Sequence, residues 1–443
     1  MATLETTTTT AEAPPHHERM STLARINAIL GGSAGNLVEW YDWYAYSAFA
    51  LYFAKHFFPQ GDQTAQLLQA AAVFALGFLA RPLGAWLMGL YADWAGRRTA
   101  LTVSVALMSL GSFAIALIPD YASIGVAAPV LLLVARLVQG LSLGGEYGAS
   151  ATYMSEVATQ ARRGFWSSFQ FVTLIGGQLT ALGVLIVLQN LLSPADLEAW
   201  GWRIPFAIGG VLAIVVFWIR SGLKETRSFL DAKAQGAERA RTSMLLRQFP
   251  RESAAILGLT AAGSLAFYAY TTYMQKFLVN TAGFSKDAAT AITAAALFVY
   301  MLILPLVGLV SDFIGRRTSL AIAFGLGAVA TFPLFSLIAG TDSPWVAFSL
   351  VTLLVLILSG YSAVNAAVKA ELFPTHVRAL GVALPYALAN AVFGGTAEYV
   401  ALWFKQAGHE EGFYVYVAAA MAIAMLISLR LPNTNATKLI LES

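Results

Sequence analysis

The 443-residue sequence contains no cysteine. Disulfides, thiol nucleophiles and thiolate metal sites are therefore excluded. Its five histidines, at positions 16, 17, 56, 376 and 409, show no ligand spacing beyond one adjacent pair near the start, so no metal centre is expected. Nucleophile-elbow and phosphate-loop patterns are also missing, which leaves no basis for a hydrolase or an ATP-driven pump. Neither catalytic residues nor a cofactor are expected. Charge is scarce: Asp, Glu, Lys and Arg make up 12% of the chain, about half the usual share of a soluble domain. A net charge of +3 calls for no nucleic-acid partner.

What is abundant is apolar sequence, at 58% of residues with a mean hydropathy of +0.66. About twelve apolar segments are long enough to span a bilayer as helices. They cover, approximately, 24–53, 65–92, 98–118, 128–155, 163–190, 203–222, 253–280, 288–311, 318–339, 344–370, 379–405 and 412–430. A strand reading fails, because the runs are too long and do not alternate apolar with polar residues. The fold class expected is all-α and membrane-embedded. Residues 1–22 are Thr-rich and polar, without the apolar core of a secretory signal, and are expected to form a disordered tail. A second short tail covers 431–443.

The chain also repeats itself. Gly89-Leu-Tyr-Ala-Asp93-Trp-Ala-Gly96-Arg97-Arg98-Thr99 returns as Gly308-Leu-Val-Ser-Asp312-Phe-Ile-Gly315-Arg316-Arg317-Thr318, with both glycines of the turn, the acid and the arginine pair kept. Glu156 precedes Arg163 as Glu371 precedes Arg378, and Gly176-Gly177 is echoed by Gly394-Gly395. These offsets agree closely, so two six-helix halves, 23–222 and 253–430, are expected around a linker at 223–252. With an even number of spans both termini share a side. Of the 27 Lys and Arg, only Lys55, Arg203, Lys286 and Lys405 fall in the opposite loops, and Arg81, Arg136 and Lys276 fall inside spans. The remainder lie with the termini, which places both termini in the cytoplasm.

The Gly-x3-Asp-x2-Gly-Arg-Arg hairpin resembles the signature of the major facilitator superfamily, and Arg136-Leu-Val-Gln139-Gly140 resembles its second motif. Lys224-Glu225-Thr226 is similar to its Pro-Glu-Thr motif, with lysine replacing proline. Asn36-Leu-Val-Glu39-Trp-Tyr-Asp42, Phe78-Leu-Ala-Arg81-Pro82-Leu-Gly84 and Gly140-Leu-Ser-Leu-Gly144-Gly145-Glu146-Tyr147 resemble its metabolite:proton symporters. Tyr273-Met-Gln-Lys276, Lys369-Ala-Glu-Leu-Phe-Pro374 and Phe393-Gly-Gly-Thr-Ala-Glu398 resemble the 2-oxoglutarate-carrying members of that subgroup. The resemblance covers residues 25–430. It implies two bundles working by alternating access in a bacterial inner membrane and proton-coupled import of a small dicarboxylate, 2-oxoglutarate first. The same fold also serves C4 dicarboxylates, citrate, shikimate and zwitterions such as betaine or proline. A membrane-embedded enzyme or a channel remains a more distant alternative. No oligomer is required.

Seven ionisable groups below the membrane surface carry the chemistry. Three unpaired bases at helix centres would cost roughly 8–10 kcal/mol, so they must pair or line a wet cavity. Arg81, Arg136 and Lys276 are candidate anchors for an anion, with Tyr46, Tyr273 and Asn390 as candidate hydrogen-bond donors. Lys276 is expected close to the outer surface, its amine reaching water. Glu39 and Asp42 share a helix face with Tyr46 and are candidate proton carriers, as are Glu146 and Glu398. For Glu39 and Asp42 the alternative is structural pairing with Arg81 or Arg136, and for Glu398 it is a structural hydrogen bond. Carrying a dianion toward a negative interior costs about 4.6 kcal/mol per 100 mV, so proton-driven uptake needs at least two protons. Arg81, Arg136, Glu39 and Asp42 are expected to face one hydrated pocket between the halves. Asp93, Arg97, Arg98, Glu156, Arg163, Asp312, Arg316 and Arg317 lie at helix ends, and the resemblance implies that they latch the cytoplasmic side.

Overall fold

The structure is a computed structural model that describes residues 22–95, 97–142, 162–221, 245 and 247–432. Among them, twelve main helical stretches follow one another, with short helices at Tyr121–Ile124, Pro194–Ala199 and Gly201–Arg203 between some of them. The first half contains α1 (Thr22–Phe57), α2 (Gln63–Leu79 continued by Arg81–Ala95), α3 (Arg97–Leu117), α4 (Ala127–Ser142), α5 (Arg163–Ser167 continued by Phe169–Leu191) and α6 (Ile204–Ser221). The second contains α7 (Pro250–Tyr270 continued by Met274–Asn280), α8 (Lys286–Ile314), α9 (Arg316–Ala339) and α10 (Pro344–Ser362 continued by Asn365–Glu371). It ends with α11 (Thr375–Ala389, a π-helical turn Asn390–Gly394, then Ala397–Gln406) and α12 (Glu411–Arg430). Helices are the solution these sequences permit, because in lipid each backbone N–H and C=O must be satisfied within its own segment. The 29 residues of α8 reach about 43 Å, ample for a hydrocarbon core of about 30 Å. Apolar side chains face outward as well as inward: Phe313 is 81% exposed and Val329 77%. Such a surface suits lipid, not water.

Several spans are interrupted, each for a local reason. Pro82 has no N–H to offer Phe78, and α2 breaks at Ala80, just before Arg81. In α7 the break at 271–273 is buried, and Thr271 turns its hydroxyl back onto the Phe267 carbonyl at 2.7 Å. In α11, Pro385 precedes the π turn that begins at Asn390. Broken backbone of this kind is tolerated where other helices cover it.

The halves meet along α2 against α11 and α5 against α8. The α5–α8 crossing is tight: a Cβ on Gly308 would sit 2.5 Å from the Gly164 carbonyl oxygen. Gly315, at φ +95°, turns α8 into α9 within a single residue, a conformation that favours glycine. The end at which α8 joins α9 and α2 joins α3 is called the hairpin end below.

Candidate functional site

The first half encloses one polar network. Asp42 of α1 accepts from Gln139 Nε2 of α4 at 2.6 Å and from the Ser112 hydroxyl of α3. Gln139 in turn accepts from Arg136 Nη1 at 2.8 Å, and that guanidinium stands 3.8 Å from the Asp42 carboxylate. Arg136 and Asp42 are both fully buried. The Arg136 guanidinium also lies over Trp43 at 3.9 Å and over Tyr46 at 4.4 Å. The Tyr46 hydroxyl is committed to the Ala70 carbonyl at 3.0 Å. These residues are dry contacts within one bundle.

Arg81 occupies a different place. Released by the α2 break, its guanidinium lies over Phe78 at 3.8 Å, Trp43 at 4.3 Å and Trp40 at 4.9 Å. Trp43 thus receives two guanidinium groups, an arrangement its quadrupole favours. Tyr268 of α7 and Tyr386 of α11, from the other half, lie within electrostatic reach of Arg81, as does Glu39. Asn390 packs beside Tyr268 where the π turn brings Gly394 against both. Arg81 therefore stands at the seam between halves, ringed by aromatics.

A second ionic network crosses that seam. Lys276 Nζ of α7 stands 3.0 Å from both Glu398 oxygens of α11 and donates to the Ser47 hydroxyl of α1 at 2.5 Å. Ser47 also donates to Glu398 at 2.9 Å. The expectation that Lys276 reaches surface water is corrected: its side chain is fully buried. Neutralisation by Glu398 is what allows that depth. The Tyr273 hydroxyl lies 3.4 Å from Glu410, at the start of α12. Beside Ser47 lies a void of about 10 Å³, lined also by Gln178, Thr271, Thr272, Gln275 and Thr293 among others. That is room for one water at most. Asp42 and Arg136, expected to face a pocket shared with Arg81 and Glu39, are instead engaged with one another through Gln139 inside the first half.

Each end carries contacts that cross the seam. Opposite the hairpin end, Glu198 binds Lys286 of the second half at 2.6 Å and Lys55 of its own half at 2.5 Å. Burial raises the Glu198 carboxyl, but the Lys286 and Lys55 ammonium groups outweigh it and hold it below the usual carboxylate range. At the hairpin end, Asp312 accepts from the backbone N–H groups of Gly164 and Phe165 at 2.8 and 3.1 Å, so the second copy of the repeated motif caps the start of α5. Arg316 holds Asp312 at 2.7 Å, and Glu371 receives Arg163 at 3.4 Å and Arg316 at 3.8 Å. Arg317 is exposed. Glu146 and Glu156 lie outside the described residues, as do the side chains of Asp93, Arg97 and Arg98.

Comparison with known proteins places this geometry. The family model for sugar (and other) transporters matches residues 28–255 and 244–440. The alpha-ketoglutarate permease of Escherichia coli is 54% identical over 416 residues, 93% of this chain and 94% of that protein. The citrate-proton symporter of Klebsiella pneumoniae is 36% identical, covering 84% of each chain. The chain belongs to the major facilitator superfamily. An inward-open xylose transporter from E. coli shares the fold with a TM-score of 0.73 at 17% identity, over 94% of this chain and 98% of that one. This facilitator is accordingly a multi-pass membrane transporter and not an enzyme.

Sequence reasoning undercounted the facilitator's buried bases. Arg163, Arg316, Lys369 and Arg378, assigned to the surface by their closeness to helix ends, are each at most 2% exposed. Position along a helix measures depth in the bilayer, whereas burial beneath neighbouring helices depends on packing. Ser47, Ser112 and Gln139 were also missed, because an uncharged polar residue in an apolar run carries little signal. Gln139 lies one turn beyond Arg136, the only local hint of their pairing.

Proposed function

We propose that this transporter imports 2-oxoglutarate, or a closely related small dicarboxylate, together with protons across a bacterial inner membrane. The hairpin end and both termini face the cytoplasm in this reading. Arg81 carries it: a guanidinium at the seam, cradled by first-half rings and reached by second-half tyrosines, would let a bound carboxylate touch both halves at once. The E. coli relative's name specifies alpha-ketoglutarate, which is the same compound. Glu39, within reach of Arg81, is the proton carrier that fits: a cargo carboxylate taking Arg81 leaves Glu39 to accept a proton. Asp42 and Arg136 hold Trp43 and Tyr46 in place behind Arg81, and Tyr268 and Asn390 complete the polar wall. Lys276 and Glu398 close the seam beyond the cargo.

In this reading access alternates between the two ends. The contacts of Asp312, Arg316, Arg163 and Glu371 support a latch at the hairpin end, and the sequence repeat assigns the counterpart latch to Asp93, Arg97, Arg98 and Glu156. Glu198 and Lys286 latch the far end. Releasing one set while keeping the other opens the void to one side only. Uptake of labelled 2-oxoglutarate into proteoliposomes tests the reading. Acidifying the outside should accelerate uptake, and unlabelled succinate or citrate should compete better than proline, betaine or shikimate. Uptake indifferent to the pH gradient sinks the proton coupling; competition by the zwitterions alone sinks the cargo.

A further inference from the structure

Opposite the hairpin end, the protein already holds a carboxylate between ammonium groups from both halves. Glu198 lies in the short helix Pro194–Ala199 between α5 and α6, and accepts from Lys55 in the last turn of α1 and from Lys286 in the first turn of α8. Beside these groups is a cavity of about 220 Å³, lined by Tyr52, Gln189, Glu198, Lys286 and Asp287 among others. Its walls come from both halves. The Lys286 and Glu198 side chains are 28% and 33% exposed, so a dissolved anion reaches them. Lys286 Nζ also stands 4.6 Å from the centre of the Tyr52 ring, whose hydroxyl accepts from Gln189 at 2.8 Å. Two cations on one anion leave this cluster with a positive charge to spare, and Asp287 at the rim is exposed to screening water.

We propose that this cavity is an entry site for the organic anion, in which a carboxylate of the arriving cargo takes Lys286 in place of Glu198. The inference rests on the dicarboxylate reading and adds a first stopping place on the way in. The exchange keeps charges matched: the cargo satisfies Lys286 while Glu198 stays with Lys55. Pairs this exposed contribute little to stability, so a dissolved carboxylate competes with Glu198 on nearly equal terms. Because Lys286 is the one of the two lysines that belongs to the second half, the same exchange removes the far-end contact across the seam. Entry and unlatching are then a single event. Polar groups continue inward from the cavity. Gln189, which lines it, and Gln275, which lines the smaller void beside Ser47, both donate to the Thr290 hydroxyl, at 3.4 and 3.0 Å. Thr290 turns that hydroxyl to the Lys286 carbonyl at 2.7 Å. Ser47 in turn contacts Lys276 and Glu398. An anion leaving Lys286 therefore meets amide and hydroxyl donors along the seam before it reaches the next cation.

The test is the concentration dependence of 2-oxoglutarate uptake by the full-length protein in oriented proteoliposomes, at a fixed pH gradient. If Glu198 and Lys286 form only a latch, breaking their bond from either side acts alike. Displacement predicts opposite signs. Lys286→Gln removes the partner of the incoming carboxylate and should raise KM about fivefold, the worth of one half-exposed charge pair, while the maximal rate is kept. Glu198→Gln removes the competing carboxylate and should lower KM about threefold. Lys286→Arg should stay near the parental KM. Lys405→Gln, which removes a base held by Glu410 within the second half, should leave KM unchanged. Shifts of the same sign in Glu198→Gln and Lys286→Gln, a fall in maximal rate with KM kept, or an equal rise in Lys405→Gln overturns the entry site. If Lys286→Gln does not fold, Glu198→Gln decides alone, and a KM unchanged or raised there overturns it. A parent that takes up no 2-oxoglutarate sinks the dicarboxylate reading and the entry site with it, whereas an active parent beside variants of parental KM sinks the entry site alone.

Discussion

Two buried acid–base networks of similar composition lie close together in this transporter and do different things. Asp42, Gln139 and Arg136 belong to α1 and α4, both within the first half. Lys276, Glu398 and Ser47 belong to α7, α11 and α1, so their bonds cross from one half to the other. When the halves rock, the first network travels intact with its bundle, whereas the second must break and reform. Burial is the same in both, so burial alone does not distinguish a structural pair from a moving one. What distinguishes them is whether water can reach the charges without unfolding. Opening the seam hydrates Lys276 and Glu398, whereas Arg136 is enclosed by first-half side chains on α1 and α4.

The sharpest way to break the comparison is to remove one acid from each network. Asp42→Ala should leave the Arg136 guanidinium buried without its counter-charge, at a cost of about 3–5 kcal/mol. Thermal unfolding in detergent would show it as a large fall in midpoint, or as a failure to purify. Asp42→Asn keeps hydrogen-bonding capacity toward Gln139 and Ser112 and should lose less. If Asp42→Ala is as stable as the parent, the first network is no scaffold and the contrast fails.

The extent to which these networks were legible in the sequence divides along the same line. The helical spans and the second copy of the hairpin, turning at Gly315, follow from local rules, and the described residues carry both. Asp42 and Arg136 were recognisable as costly buried charges, but their meeting through Gln139 depends on side chains reaching between helices 97 residues apart in sequence. Lys276 was misplaced in depth because its partner, Glu398, lies 122 residues away. Lys369, one residue from the end of the 344–370 segment, was counted with the positives of the terminal side and not with the interior bases. Intramembrane cost identifies the charges that need partners; it does not identify the partners.

The cross-seam network gives the next largest effect. Lys276→Gln or Glu398→Gln alone leaves a charge facing a closed seam, so each should slow uptake about tenfold and favour the hydrated, open form. The double substitution removes both charges and should transport better than either single one, with a coupling of about 1–3 kcal/mol in the mutant cycle. The Asp42–Arg136 pair should show its coupling in unfolding, not in turnover. Additive losses at Lys276 and Glu398 would mean that the two do not act as a unit. Gly308→Val probes the other end of the same movement. A branched side chain where Gly164 already crosses at 2.5 Å from the first added carbon should hold the hairpin end open, as greater labelling of a cysteine placed nearby, in a chain that has none of its own, would report.

The smallest effect is expected at the far end, where the cross-seam contact is half exposed. Glu198 carries two lysines, and only Lys286 belongs to the other half. Breaking the Glu198–Lys286 bond leaves the carboxylate still neutralised by Lys55, so this latch opens without stranding a charge, and pairs this exposed contribute only about 0–1 kcal/mol. Glu198→Gln and Lys286→Gln should each raise labelling of Gln189→Cys by an outside thiol reagent a few-fold, while Lys55→Gln, which keeps the cross-seam bond, should not. The pH response follows from the lowered Glu198 pKa. A carboxyl held below its ordinary range supplies its full contribution to closure above that range and loses it only as pH falls through the depressed value. Acidifying the outside from pH 7 to 5 should therefore leave labelling in the otherwise unaltered chain unchanged. A rise over that interval would place the proton-sensitive group of this latch elsewhere, and equal effects of Lys55→Gln and Lys286→Gln would reduce it to a staple within one loop.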